Sequence, residues 1–334
     1  MHKPITPTIL QLALLVALIF AGNAAQAAGP ESNETVTVFD NAGTRVQVTM
    51  PVERVISVNS GMTALICALG AGDKLIGRDT FSTFPTYARE HVEVVAESSA
   101  NCNLELLISK APDLIMADTM FYPQYREKLD AAGIPSYVDS TSDPERLLTL
   151  IRSAGLVLDA NDKADELAEF VSRYADLVDT RIARLDWKGG YKPRVYFEWH
   201  SDYETANAET SFHKPIAEAG GINIAAGLPV RTPVMSSEWI IQQNPEVIVN
   251  RISGDATLAQ MQKAYEDIVH RAGWDQIDAV KNNRVHIVKS DVFLTFRYPV
   301  GLLYYAKWFH PDLFADVDPE AVHREAIETF FGPD

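Results

Sequence analysis

Six side chains with metal-ligating chemistry crowd one short stretch: Glu198, His200, Asp202, Glu204, Glu209 and His213. Carboxylates and imidazoles are the usual ligands of zinc and related ions. Their spacing matches no specific metal motif, and in a strand the alternation of side chains turns some of them to solvent. A receptor for a bare divalent ion would draw ligands from both halves of the chain. Between residues 28 and 160, however, His91 is the only histidine. No metal site is assigned on this basis. Enzymatic motifs are also missing. Asn59-Ser60-Gly61 is not a nucleophile elbow, there is no HExxH, and no glycine-rich phosphate loop follows a strand. The reading is therefore a protein that is not an enzyme, with no catalytic residue and no cofactor, and an exported hydrolase stays as the remote alternative.

A second signal is a phrase that occurs twice. Residues 104–116 read as the last turns of a helix, a proline break and a buried strand, and residues 237–249 repeat that grammar. In each copy a glutamate, Glu105 or Glu238, stands seven positions before the proline, and an acid, Asp113 or Glu246, follows it. Proline stops the helix and the acid leads into the apolar run. Two copies in register predict two similarly built lobes, each presenting a glutamate at an equivalent surface position, with a cleft between them.

The elements around these phrases alternate. A hairpin is predicted over residues 35–39 and 44–48, around Asp40-Asn41-Ala42-Gly43. Strands follow at 54–58, 74–77 and 134–138, and helices at 62–71, 121–132 and 143–156. The longest helical stretch is 161–185, where Leu167, Phe170, Val171, Tyr174, Leu177, Val178 and Ile182 recur at three- and four-residue spacing. Beyond it come strands at 194–199 and 284–288 and helices at 298–308 and 319–330. The fold class is α/β: two lobes with mainly parallel sheets, residues 28–160 and 187–334, bridged by one long α-helix over 161–186. A helical bridge restricts hinge bending, because bending must break its backbone ladder.

The amino terminus has the pattern of an export signal over residues 1–27. His2 and Lys3 precede an apolar run from Ile9 to Phe20, and Ala25-Gln26-Ala27 fits a cleavage site. The run is shorter than the ~20 residues of a spanning helix. No cysteine follows the site, so the mature chain is expected free in a periplasm. Cleavage near Ala27 removes Lys3 and leaves 28 basic against 45 acidic residues, a charge of −17. Such a surface repels phosphate backbones, which excludes nucleic acid as a partner. Cys67 and Cys102 are the only cysteines. In an oxidising compartment they either pair or stay as buried thiols, and spacing alone leaves both open.

Several phrases in this order resemble a known family: Arg54-Val55-Ile56-Ser57, then Ala68-Leu69-Gly70-Ala71-Gly72-Asp73-Lys74-Leu75-Ile76-Gly77, Asn103-Leu104-Glu105 and Pro112-Asp113-Leu114-Ile115. Ala219-Gly220-Gly221-Ile222-Asn223-Ile224-Ala225 and the second glutamate phrase agree as well. The chain is similar to substrate-binding proteins of ABC importers, in the class that takes up vitamin B12, ferric siderophores and haem through lobes joined by a rigid helix. The resemblance implies a monomeric periplasmic receptor that binds a chelated metal and delivers it to an inner-membrane permease with its ATPase subunits. It implies a ferric siderophore as ligand, with a corrinoid as the alternative, then haem or molybdate. It also implies that Glu105 and Glu238 dock on arginines of the permease.

Loops at the ends of parallel strands line the clefts of open α/β sheets. The candidate ligand residues are Ser60, Arg78, Phe81, Phe84 and Ser99 in the first lobe. In the second they are Trp199, Tyr203, His213, Arg231, Phe296, Arg297 and Tyr298. Aromatic rings supply contact area and arginines hold anions by forked hydrogen bonds. Arg297 leads this set, because the resemblance puts it in the family's ligand loop.

Overall fold

The structure, a computed structural model, describes residues 34–187 and 190–332. The expected export signal lies outside the described residues. The first elements form the predicted hairpin: β1 (Thr35–Phe39) pairs antiparallel with β2 (Arg45–Thr49). Asp40 shapes the turn by accepting the N–H groups of Ala42 and Thr44.

The first lobe is built on a six-stranded sheet in the order β6-β5-β4-β3-β7-β8. These strands are β3 (Val55–Ser57), β4 (Leu75–Asp79), β5 (Val94–Ser98), β6 (Asn101–Cys102), β7 (Leu114–Ala117) and β8 (Ser136–Val138). All neighbours run parallel except β5 and β6. The chain leaves β3 outward through β4 and β5, then returns past it to β7 and β8. That reversal opens a crevice at the carboxyl ends of β3 and β7. The second lobe repeats the plan with four parallel strands in the order β10-β9-β11-β12. They are β9 (Arg194–Trp199), β10 (Ile222–Asn223), β11 (Val247–Ile252) and β12 (Val285–Lys289). All of β7 and the first three residues of β11 are buried, as expected of central strands covered on both faces.

The doubled phrase encodes the same device in each lobe. Helix Leu104–Ser109 ends at Ala111 with φ 46°, and helix Ser237–Gln243 ends at Asn244 with φ 43°. After each proline the acid reaches the head of the neighbouring strand. Asp113 Oδ2 accepts the N–H groups of Glu53 and Arg54, and Glu246 Oε2 accepts that of Arg194. The arginine side chains return the contact, with Arg54 donating to the carbonyl of Ala111 and Arg194 to that of Asn244. An acid and an arginine thus clamp helix end to strand start, once per lobe.

The bridging helix is Asn161–Trp187. It buries Leu167, Phe170, Val171, Val178 and Ile182 in a core whose members come from both lobes. The helix before it, Pro144–Leu158, lies close enough that a Cβ at Gly155 would come within 2.3 Å of the Ala164 side chain. The last helix, Pro319–Phe330, returns to the bridge. Arg173 and Tyr174 both donate to Glu325, and Phe330 meets Phe170 edge-on at 5.6 Å. Phe331 packs on Phe84 of the first lobe at 4.9 Å. A main-chain hydrogen bond of 2.8 Å from Thr295 to Thr141 adds another tie between the lobes.

The possible disulfide does not form. Cys67 and Cys102 are free thiols. Cys67 packs against the core on one face of the first sheet, and Cys102 against the separate cluster on the other face. With the sheet between them they cannot reach each other, and burial pushes both thiols up to about 12.

Candidate functional site

A cleft of about 900 Å³ lies between the carboxyl ends of the two sheets. Its first wall comes from the loops after β3, β4, β5 and β7. Asn59 caps helix Ser60–Ala68 through its Oδ1, and its Nδ2 donates to Asp118 Oδ2 at 2.7 Å. The main chain of Met120 donates to the other oxygen of Asp118. Asp79, the last residue of β4, accepts from Ser82, which continues through Thr63 to Ser57 in a buried line of hydroxyls. Burial pushes Asp79 up to about 6 and raises Asp118 as well, against the lowering effect of their hydrogen bonds. Phe81 and Met120 add apolar surface that is mostly exposed, Phe81 at 64%.

The second wall is made by Ser253, Gly254 and Asp255 after β11, and by Lys289 at the end of β12 with Ser290, Asp291, Val292 and Leu294 beyond it. Arg297 stands behind it, only 4% exposed. Its Nη1 donates to Asp291 Oδ2 at 2.7 Å, and its guanidinium lies 4.6 Å from the Phe84 ring across the cleft. His323 and Ile327 of the last helix close one side. Burial lowers the pKa of His323, with the charge of Arg297 acting in the same direction.

Ser60, Phe81, Phe84, Ser99 and Arg297 line this cleft. Seven other candidates do not. The Arg78 guanidinium is taken up by the carbonyls of Asp79, Ala88, Arg89 and Val92. Phe296 is fully buried against Phe330 and Phe331. Tyr298 turns to Glu218, which accepts its hydroxyl proton, and faces a smaller cavity of about 290 Å³ beside the bridging helix. Trp199 packs on Phe212 at 4.5 Å. Tyr203 lies under Arg271, with 4.5 Å between guanidinium and ring. His213 contacts Asn223, and burial lowers its pKa. Arg231 is exposed outside the cleft.

The second-lobe miss at Trp199 has a structural cause. That lobe has its own reversal, between β9 and β11, but fills it with its own side chains. Arg251 stacks on Phe293 at 3.9 Å and reaches Phe212 at 5.2 Å, next to Trp199. The metal-like run dissolves in the same region. Glu198 is clamped by both Nη atoms of Arg271 at 2.7 and 2.9 Å, Asp202 also holds Arg271, and Glu204 takes Ser201. Among the described residues no three metal-ligating side chains converge.

Sequence reasoning missed Asp79, Asp118, Asp255, Asp291, Lys289 and His323. Their signal was positional: Asp79 and Asp118 stand at the carboxyl ends of strands that flank β3. Glu105 and Glu238 keep the predicted equivalence. Both are exposed at the second position of a helix, behind a cap in which Asn103 or Ser236 accepts an N–H at 3.2 Å.

Residues 55–292 match the family described as periplasmic binding protein. The chain belongs to that family. Its members are solute-binding proteins and not enzymes. This binding protein is 29% identical over 228 residues to a cobalamin-binding protein of Halobacterium salinarum, a match covering 66% of the chain and 59% of that relative. It is also 29% identical over 199 residues to a vitamin B12-binding protein of Yersinia pestis, covering 59% and 69% of the two chains. In fold it is similar to the TroA-like periplasmic binding protein FepB from Veillonella parvula. There the TM-score is 0.77 at 22% identity, over 89% of this chain and 96% of that one. Among the described residues no helix of this binding protein is long and apolar enough to cross a membrane.

Proposed function

We propose that the protein is the solute receptor of an ABC importer, that its ligand is a corrinoid, and that it delivers this ligand to a membrane permease driven by ATPase subunits. The observation that carries the ligand choice is the charge of the cleft. Four aspartates line it (Asp79, Asp118, Asp255 and Asp291) against Arg89, Lys289 and Arg297, and Asp291 already neutralises Arg297. An anionic ferric siderophore, a haem with its carboxylates or molybdate needs several uncommitted cations facing it, and of the three cations only Lys289 has no ion-pair partner among the described residues. A cobalamin is a large macrocycle with amide side chains and no such need. The volume of the cleft, the apolar faces of Phe81 and Met120, and the two relatives named for this ligand support the same reading.

Docking is assigned to Glu105 and Glu238, whose carboxylates suit a basic socket on the permease. The whole molecule carries a net charge of −16, which favours the same complementarity. Calorimetric titration of the mature protein with cyanocobalamin and with a ferric tris-catecholate tests the ligand assignment. Tight binding of cyanocobalamin and no measurable heat with the tris-catecholate is the expected result. The reverse order would return the ligand to the siderophore class.

A further inference from the structure

The first wall of the cleft buries two acids that have no ion-pair partner among the described residues, with Arg78 acting on Asp79 only at a distance. Asp79 is 2% exposed and Asp118 8%, and neither is in an ion pair among the described residues. Their donors are neutral: Ser82 for Asp79, and Asn59 with the main chain of Met120 for Asp118. The nearby arginines are committed elsewhere. Arg78 points into carbonyls, Arg89 pairs with Glu90, and Arg297 pairs with Asp291 on the opposite wall. A buried charge without a counter-charge is costly to keep. Two of them in the wall of a ligand cleft leave the compensating donors to the ligand.

We propose that Asp79 and Asp118 are the specificity-determining pair of this cleft, accepting hydrogen bonds from primary amides on the ligand's edge and excluding ligands that carry carboxylates there. The inference rests on the corrinoid reading. A corrin ring carries side chains that are amides in the finished ligand and carboxylates in less amidated forms. An amide NH₂ facing Asp79 or Asp118 makes a charge-assisted hydrogen bond. A carboxylate in the same position adds a third negative charge beside two buried ones. Like charges brought together in this way repel, which disfavours the acid form of the ligand. Neighbouring hydroxyls and amides of the first wall, from Ser60, Ser99 and Asn59, offer a free acid no positive charge to offset that repulsion.

The test compares dicyanocobinamide with dicyanocobyrinic acid, which share the ring and differ in amide against carboxylate side chains. Near neutral pH the wild type is expected to bind the amide form about 100-fold more tightly, the scale of a like-charge penalty. The double variant Asp79→Asn/Asp118→Asn keeps the side-chain shapes and an oxygen for Ser82 and Asn59. In it the preference should shrink to within about tenfold, through tighter binding of the acid and weaker binding of the amide. Equal affinities in the wild type, or an unchanged ratio in a folded double variant, would overturn the proposal while leaving the corrinoid reading intact. Binding of neither corrinoid by the wild type would remove both. Should the double variant fail to fold, Asp79→Asn and Asp118→Asn are titrated singly, and an unchanged ratio in either folded single variant overturns the proposal for that residue.

Discussion

At the scale of single residues, Asp79 is the clearest case of a buried acid whose ionised form costs stability. Its pKa in the folded protein, about 6, lies above the value near 4 of a free aspartate. The folded state therefore binds this proton more tightly than the unfolded state does. The carboxylate's effect is absent below about pH 4 and grows as a penalty as pH rises through about 6. Asp79→Asn should raise the stability of the ligand-free protein by roughly 1–3 kcal/mol at about pH 8, and by almost nothing at about pH 4. Urea unfolding at the two pH values measures this, and an equal gain at both would mean that charge is not the cause. Arg297 shows the reverse case. Removing it strips Asp291 of its partner, so Arg297→Ala should weaken the fold more than it weakens binding of a neutral corrinoid. Neither state was legible in the sequence. An acid after a strand looks like ordinary punctuation, and a string cannot show that Asp291 has already claimed the arginine.

At the scale of elements, the sequence was far more readable, because periodicity and punctuation act locally. The hairpin, the alternation of strands and helices and the long bridging helix stand where the 2.0 and 3.6 periods put them. The doubled helix-proline-acid phrase predicted two lobes of one design, and each lobe closes it with the same clamp of acid and arginine. What could not be read is which strand end faces the cleft. Phe296 and Tyr298 flank a true cleft residue, yet helical geometry turns them into the core and toward Glu218. The second lobe's filled reversal depends on Arg251, Phe212 and Phe293, which are far apart in the chain. The clamp gives a prediction of its own. Asp113→Ala and Glu246→Ala each remove a carboxylate that accepts hydrogen bonds from main-chain N–H at a partly exposed site. Each should cost about 1–2 kcal/mol in urea unfolding, less than for a fully buried charged bond. Closely similar losses are expected from the two lobes. A large difference between them would mean the two clamps are not equivalent devices.

At the scale of the molecule, the lobes share one core, one bridging helix and a last helix that fastens the bridge to Phe84. Large closure around a ligand would have to break these contacts together, so scattering curves with and without corrinoid should nearly superimpose, in contrast to receptors hinged by strands. A large fall in radius of gyration on binding would contradict the rigid bridge. Rigidity also bears on docking. If the lobes keep their separation, Glu105 and Glu238 stand at a fixed spacing, and the docking proposal then requires a permease that presents basic groups at that spacing. Both glutamates are exposed and outside the cleft lining, so reversing them leaves the binding site untouched. Glu105→Lys and Glu238→Lys should each keep corrinoid affinity within about twofold and lower uptake in proteoliposomes at least about tenfold, since like charges then meet at the rim. The double reversal should be restored in part by acidic substitutions in the permease's basic socket, and not by raising the ligand concentration. Uptake that stays normal in the double reversal would take both glutamates out of the docking interface.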